Sequence, residues 1–201
     1  YYQLLTIISV VLLFKNNRGP TSIFIAIGIS VLSYLQTAST ISSTCGIVCM
    51  SLISFFYCGR KKNDLAILIS FSLLLIVYVS LLPHVPEHES LRSTSVFDLI
   101  TISLKAMSWP FIESFWPSFI INIPIIILFW SFIRKKHADI ELFRILGCIF
   151  IGTVFMAGAI AYMRNTIDSR YTDLLSVSCV LNLCVILYYF NNSSYKDFVS
   201  K

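Results

Sequence analysis

The chain has 201 residues, of which 57% are hydrophobic and 12% charged, and its mean hydropathy is +0.81. A soluble domain carries about twice that charged fraction, and a chain of this length cannot enclose so many apolar residues in one core. The net charge is +5, but no arginine-rich stripe with interleaved aromatics supports nucleic-acid binding. We therefore expect an all-α, multi-spanning membrane protein whose partners are membrane lipids and not nucleic acid.

Seven apolar segments are predicted from runs that approach the roughly 20 residues needed to cross the hydrocarbon layer as a helix. In chain order they cover residues 4–14, 21–35, 45–58, 65–82, 115–133, 142–163 and 174–190. Tyr1 begins inside an apolar run and is not a Met, so we expect residues 1–201 to be a single membrane domain from the C-terminal part of a longer protein. The polar stretch Gln36–Thr44 predicts a loop or an unwound turn. Pro124 predicts a kink inside the fifth segment.

The longest polar region, residues 83–114, separates the fourth segment from the fifth. In its second half, apolar residues recur at helical spacing, and they are Phe97, Ile100, Leu104 and Met107. This spacing predicts an amphipathic helix over residues 97–109 that lies in the membrane interface, with Trp109 and Trp116 at the level of the lipid headgroups.

Cations cluster after every odd-numbered segment, at residues 15–18, 60–62 and 134–136 and in the C-terminal tail. If each segment crosses the membrane once, the ends of all odd-numbered segments, and so all four clusters, lie on the same side of the membrane. The positive-inside rule makes that side cytoplasmic. The loops 83–114 and 164–171 are then external, and we expect a multi-pass protein of the plasma (inner) membrane.

The turn between the last two segments concentrates charge next to two predicted spans, with Arg164, Asp168, Arg170 and Tyr171 in eight residues. Arginine forks suit bidentate binding of phosphate, so the turn is a candidate site for a lipid-linked pyrophosphate or a phospholipid headgroup. Alternatively, both arginines snorkel at helix ends and pair with nearby aspartates. Charge alone favours this second interpretation, because cations at the ends of spans are ordinary.

Two patterns contain metal-ligand residue types, and neither predicts a metal site. His84-Val-Pro-Glu87-His88 matches a zinc-protease motif, but Pro83 and Pro86 prevent the regular helix on which that motif depends. Cys45 and Cys49 lie on one helix face, but a metal would require further ligands, so packing is the better explanation. We expect no metal and no cofactor.

Four short features occur in a particular order along the chain. Ile41-Ser-Ser-Thr-Cys-Gly-Ile precedes a span that ends in Gly59-Arg60-Lys61-Lys62, and an external Pro/His/Glu loop follows. An amphipathic stretch with Trp109-Pro110 comes next. Met163-Arg164-x₅-Arg170-Tyr171-Thr172 then opens the last span, and its most specific piece is Ser169-Arg170-Tyr171-Thr172. Together these features resemble the C-terminal half of a group of uncharacterised bacterial polytopic membrane proteins. Those proteins are similar in outline to GT-C type glycosyltransferases, which use polyprenyl-phosphate-linked sugars.

The resemblance implies that Arg164, Arg170 and Tyr171 line an outward cavity near the lipid carrier. It predicts the C-terminal membrane module of a GT-C-like glycosyltransferase that acts on lipid-linked sugars in the cell envelope. The catalytic acid of GT-C enzymes lies in an N-terminal half, so we expect this part of the chain to be inactive alone.

The alternative is a non-enzymatic membrane protein, either a transporter subunit or a structural partner. A transporter would show ionisable residues deep in its spans or broken helices near the midplane. The centres of the predicted spans carry almost no ionisable residue, which disfavours an ion-coupled carrier.

Overall fold

A computed structural model describes residues 2–15, 19–36, 39–57, 62–82, 95–134, 140–163 and 172–191. Within these ranges 89% of the residues are helical and no strand occurs, so the all-α expectation is confirmed. The described helices are α1 (Tyr2–Phe14), α2 (Pro20–Gln36), α3 (Thr40–Tyr57), α4 (Lys62–Ser80), α5 (Val96–Met107), α6 (Pro117–Ile121), α7 (Ile123–Ile133), α8 (Ile140–Met163) and α9 (Thr172–Asn191).

Three of these helices, α3, α4 and α8, are long and apolar enough to cross a membrane, judged by length and composition. The apolar parts of α1, α2, α7 and α9 are shorter. Large apolar side chains are widely exposed on the helices, as Leu73 (60%) and Ile76 (63%) are on α4. Monomeric soluble proteins rarely expose continuous apolar surface of this kind. The fold is therefore compatible with a membrane-embedded protein.

The close contact between α3 and α8 shows that these two helices are antiparallel. A Cβ atom on Gly46 would lie 2.5 Å from the carbonyl oxygen of Cys148 and 2.8 Å from the nitrogen of Gly152. Further along α3, Met50 lies against Gly147, whose Cβ position is 3.1 Å from the Met50 sulfur. Because the residue numbers rise along one helix and fall along the other, the start of α3 lies with the end of α8.

Contacts made by α4 place its start beside the start of α8 and its end beside the end of α2. Asp64 in the first turn of α4 meets Arg144 near the start of α8. Near the other end, the Tyr78 ring stacks on the Tyr34 ring with centroids 4.1 Å apart, and the Tyr78 carbonyl accepts a hydrogen bond from the Tyr34 hydroxyl.

The direction of α7 is opposite to that of α8 and the same as that of α9. Phe132, at the end of α7, stacks on Phe143, at the start of α8, with centroids 3.7 Å apart. Asn122 contacts Asn182, and nine residues further along α7 the Ser131 hydroxyl accepts a hydrogen bond from Tyr189. Helices α2, α3, α4, α7, α8 and α9 therefore alternate in direction along the chain. Helix α1 packs against α2 and ends only six residues before α2 begins, so the end of α1 lies near the start of α2.

This alternation defines two ends of the bundle. We call the end at which α8 finishes and α9 begins the turn end. The opposite end, which we call the cationic end, holds the exposed residues Lys15, Lys62 and Arg134. Arg134 places its guanidinium 4.5 Å from the centre of the Trp130 ring.

The core lies where seven helices meet, and it is built largely from large side chains. Phe14, Phe71 and Phe143 are fully buried, together with Ile125 and Leu128 of α7. If lipid surrounds the bundle, such residues stabilise it mainly through close packing, because lipid tails are as apolar as leucine.

The prediction of a loop or unwound turn over Gln36–Thr44 is wrong for its second half, because α3 begins at Thr40. The hydroxyls of Ser43 and Thr44 each donate to the Thr40 carbonyl oxygen at 2.9 Å. Hydroxyls that bond back to their own helix remove the need for water, so polar residues can continue the helix.

Two other predicted elements are confirmed in the structure. The amphipathic helix is α5, and the Ser95 side chain caps it by accepting a hydrogen bond from the Phe97 amide. The fifth segment is kinked, because the helix is interrupted at Asn122 and Pro124 is the second residue of α7. Pro124 cannot donate to the preceding turn, which explains the interruption.

Candidate functional site

The four residues predicted to bind substrate, Arg164, Asp168, Arg170 and Tyr171, lie outside the described residues, as does His84–His88. The helices on either side of the charged turn are described: α8 ends at Met163 and α9 begins at Thr172. The surroundings of this turn are therefore built from the turn end of the bundle.

The amphipathic helix α5 packs against the last part of α8. Ala106 is completely buried and contacts a cluster that contains Met156, Ala157 and Ile160. Just after α5, the Trp109 carbonyl oxygen accepts a hydrogen bond from the Cys179 thiol of α9 at 3.0 Å. Helix α5 and the segment that follows it are thus attached to both helices that flank the charged turn.

A buried serine organises the segment between α5 and α6. The Ser108 hydroxyl lies 2.7 Å from the carbonyl oxygen of Lys105, 3.0 Å from that of Phe111 and 2.7 Å from that of Ser114. A hydroxyl has one proton, so it donates to one of these carbonyls at a time. The Trp109-Pro110 peptide bond in this segment is cis.

Aromatic side chains project from this part of the molecule. Phe97 is 75% exposed, Phe111 60% and Trp116 66%. Exposed aromatic rings beside an amphipathic helix are typical of a surface that meets the interface of a membrane.

A second feature is a group of buried polar side chains at the kink between α6 and α7. The Asn122 side-chain oxygen accepts hydrogen bonds from the Ser178 hydroxyl at 2.8 Å and the Asn182 amide at 3.0 Å. The Asn122 amide nitrogen donates to the carbonyl oxygens of Ser118 at 2.7 Å and Met107 at 3.2 Å. Asn122 therefore links α5, α6 and α9.

Asn182 completes this group by capping the interrupted helix. Its side-chain oxygen accepts a hydrogen bond from the Ile125 backbone amide at 3.1 Å. Its amide nitrogen also donates to the Ser178 carbonyl oxygen at 2.8 Å. Since the donors and acceptors of both asparagine amides are occupied by protein partners, the group is suited to holding α7 against α9 and not to binding a ligand.

A third feature is a buried ion pair at the cationic end. Arg144 Nη2 donates to Asp64 Oδ2 at 3.3 Å, and the side chains are 4% and 0% exposed. Asp64 lies in the first turn of α4, where the helix dipole favours a negative charge. In the sequence Asp64 lies between the cation cluster 60–62 and the predicted segment 65–82, whereas Arg144 lies inside the predicted segment 142–163. An arginine inside an apolar segment is itself a signal of a buried partner.

A cleft of about 50 Å³ lies among α1, α3, α8 and α9, lined by residues that include Thr6, Ser43, Gly152, Thr153 and Met156. Its lining contains the Gln3 amide, hydroxyls and apolar groups, and no charged side chain. A phosphate would find no compensating cation there, so the cleft is not a candidate for that part of a substrate.

No three His, Cys, Asp or Glu side chains in the described part of the chain converge on a possible metal site. The five described cysteines are free thiols, with Cys148 buried, Cys184 exposed and the others intermediate.

Comparison of the chain with protein-family models, with curated proteins and with solved structures finds no match.

Proposed function

We propose that residues 1–201 form the C-terminal membrane module of a GT-C-like glycosyltransferase that acts on lipid-linked sugars in a bacterial cell envelope. The module has seven spans, with the cationic end in the cytoplasm and the turn end outside. Arg164 and Arg170 hold the phosphate of a polyprenyl-phosphate-linked sugar, and Asp168 and Tyr171 border the same site. The substrate enters from the membrane.

The observation that carries this proposal is the attachment of α5 to the helix ends that flank the charged turn. Ala106 packs on α8 and the Trp109 carbonyl bonds to α9, so an amphipathic surface with exposed aromatics borders this end of the bundle. A lipid carrier needs an apolar surface for its chain beside cations for its phosphate. Both are available at the turn end if the arginines stay at the membrane surface.

The alternating helix directions also support the proposed topology. Lys15, Lys62 and Arg134 lie at the same end of the bundle, as the positive-inside rule requires of spans that cross in turn. The charged turn belongs to the opposite end, where a substrate exposed on the outer leaflet would be met.

The test is the replacement Arg170→Ala in the full-length protein, with glycan modification of the envelope as the readout. We expect modification to be lost while insertion into the membrane is unchanged, since the loss removes a bidentate phosphate contact. Arg134→Ala is the matched control, because Arg134 is an exposed arginine at the other end of the bundle. Normal modification by the Arg170→Ala protein would show that this residue does not bind the substrate.

A second candidate function, a transporter subunit, is favoured by the interrupted helix at Asn122. Discontinuous helices mark the substrate sites of many transporters. Here, however, the asparagine amides at the interruption are occupied by protein partners. If the protein is a transporter subunit, Arg164→Ala and Arg170→Ala should both leave envelope glycans unchanged. Asn182→Ala should then impair the function of the protein more than either arginine change does.

A further inference from the structure

Several buried polar groups at the cationic end have no hydrogen-bond partner within the described part of the chain. Among the described residues, six buried side-chain nitrogen or oxygen atoms make no hydrogen bond, and three of them are Ser51 Oγ, Ser54 Oγ and Arg144 Nε. The three side chains are at most 4% exposed. A buried polar group without a partner is destabilising, and native proteins contain few such groups.

The helix register places these three atoms at the same level of the bundle. Met50 lies opposite Gly147 in the antiparallel pair of α3 and α8. Because both helices rise by the same distance per residue, a residue one to four positions after Met50 lies level with a residue about one to four positions before Gly147. Ser51 and Ser54 fall at the level of Arg144, and α3 packs against both α4 and α8, which supply the two charges of the ion pair.

The chemistry of the three groups defines what would satisfy them. The Nε–H of arginine only donates, whereas a serine hydroxyl both donates and accepts. The occupant must therefore accept from Arg144 and be able to exchange hydrogen bonds with two hydroxyls. An anion is disfavoured as the occupant, because the Asp64 carboxylate is already bonded to the same guanidinium and would repel a second negative charge. Water has the required donors and acceptors, and buried waters make about three hydrogen bonds to otherwise unsatisfied groups.

We propose that a buried water site lies between α3, α4 and α8, in which one water molecule joins Arg144 Nε to the hydroxyls of Ser51 and Ser54. The water completes the solvation of the Asp64–Arg144 pair inside the bundle, and its hydrogen bonds link α3 to that pair. The water site is independent of the activity at the turn end.

The stability of Ser51→Ala and Ser54→Ala proteins tests the site through the sign of the change. If the hydroxyls bond to a water, removing either one leaves that water short of a partner, and we expect Tm to fall by about 2–4 °C more than in the control. If they are dry and unpartnered, removing them relieves a desolvation penalty and raises Tm. Ser33→Ala is the matched control, because Ser33 is 1% exposed and donates to the Ile29 carbonyl oxygen at 2.9 Å.

The water itself is detected by NMR of the whole protein in micelles, labelled with ¹⁵N-arginine. We expect the Arg144 Nε–H resonance, assigned by its loss in Arg144→Lys, to show a direct cross-peak to water that weakens in the Ser51→Ala/Ser54→Ala double variant. A missing cross-peak would overturn the proposal. So would serine variants whose Tm equals or exceeds that of Ser33→Ala.

Discussion

At the scale of single residues, Asp64 and Arg144 are the charged side chains that the described part of the bundle buries almost completely. Taking a charge out of water is expensive, and a buried partner only partly compensates for it. The pair therefore need not make a net favourable contribution to the free energy of unfolding. Its main energetic consequence is that neither charge can be removed without leaving the other one buried and uncompensated.

We expect Asp64→Leu and Arg144→Met each to lower the free energy of unfolding by roughly 3–5 kcal/mol, the usual result of breaking a buried pair. The double variant should recover most of that loss, because two apolar side chains can replace both charges. Unfolding in mixed detergent micelles, followed by circular dichroism, measures all three proteins.

Arg134→Met is the control for loss of an exposed arginine at the same end, and it should change stability by less than about 0.5 kcal/mol. If the double variant proves as unstable as the single ones, then the pair supports the fold through contacts beyond its own charges.

The sequence alone could not identify this pair, for reasons that apply to both residues. Asp64 follows Arg60, Lys61 and Lys62, a run that has the composition of a solvated connection. Its burial results from tertiary contact with a residue 80 positions away. Local composition contains no information about such a contact, although an arginine within an apolar segment indicates that a partner exists.

At the scale of elements, α3 and α8 approach each other closely where they cross at Gly46. A methyl group there would lie 2.5 Å from a backbone oxygen and 2.8 Å from a backbone nitrogen of α8. Backbone atoms cannot rotate away as a side chain can. Close approach through small residues is a common way for helices to pack when water does not drive their association.

We expect Gly46→Ala to destabilise the protein by about 1–3 kcal/mol or more, since the two helices must separate to admit the methyl group. Gly28→Ala is the matched control. It lies inside α2 with no atom within 4 Å of its Cβ position, so the better helix propensity of alanine should leave stability unchanged or slightly higher. The same detergent unfolding assay compares them. Equal stability of both variants would mean that the α3–α8 crossing is looser than described.

The positions of the helices were largely predictable, because apolar composition determines where a chain can cross lipid and is visible in the sequence. The segment predicted over residues 142–163 is the helix Ile140–Met163. The start of α3 was missed because Thr40–Thr44 is polar, and only the structure shows the hydroxyls bonding to their own helix. Pro124 predicted the kink, but Asn182, which caps the interrupted helix by accepting from the Ile125 amide, belongs to another helix.

At the scale of the whole molecule, two independent patterns agree. The helix directions follow from contacts such as Asp64–Arg144 and Phe132–Phe143, whereas the cation pattern follows from sequence alone. Both place Lys15, Lys62 and Arg134 together. The candidate substrate residues of the charged turn were predicted by residue type and resemblance, and they stay a prediction because they lie outside the described residues.

The proposed topology predicts which residues react from each side of the membrane. Lys15→Cys and Arg134→Cys should be modified by a membrane-impermeant maleimide only when the cytoplasmic side is accessible. Ser95→Cys, at the exposed start of α5, should be modified from the outside. Mass spectrometry counts each added label relative to the parent protein, so the native cysteines need not be replaced.

Labelling of Lys15→Cys and Arg134→Cys from opposite sides would contradict the proposed membrane topology, because the odd-numbered spans would then not end on one face. Labelling of Ser95→Cys from the cytoplasm would separate α5 from the outer surface, and with it the basis for a substrate site at the turn end.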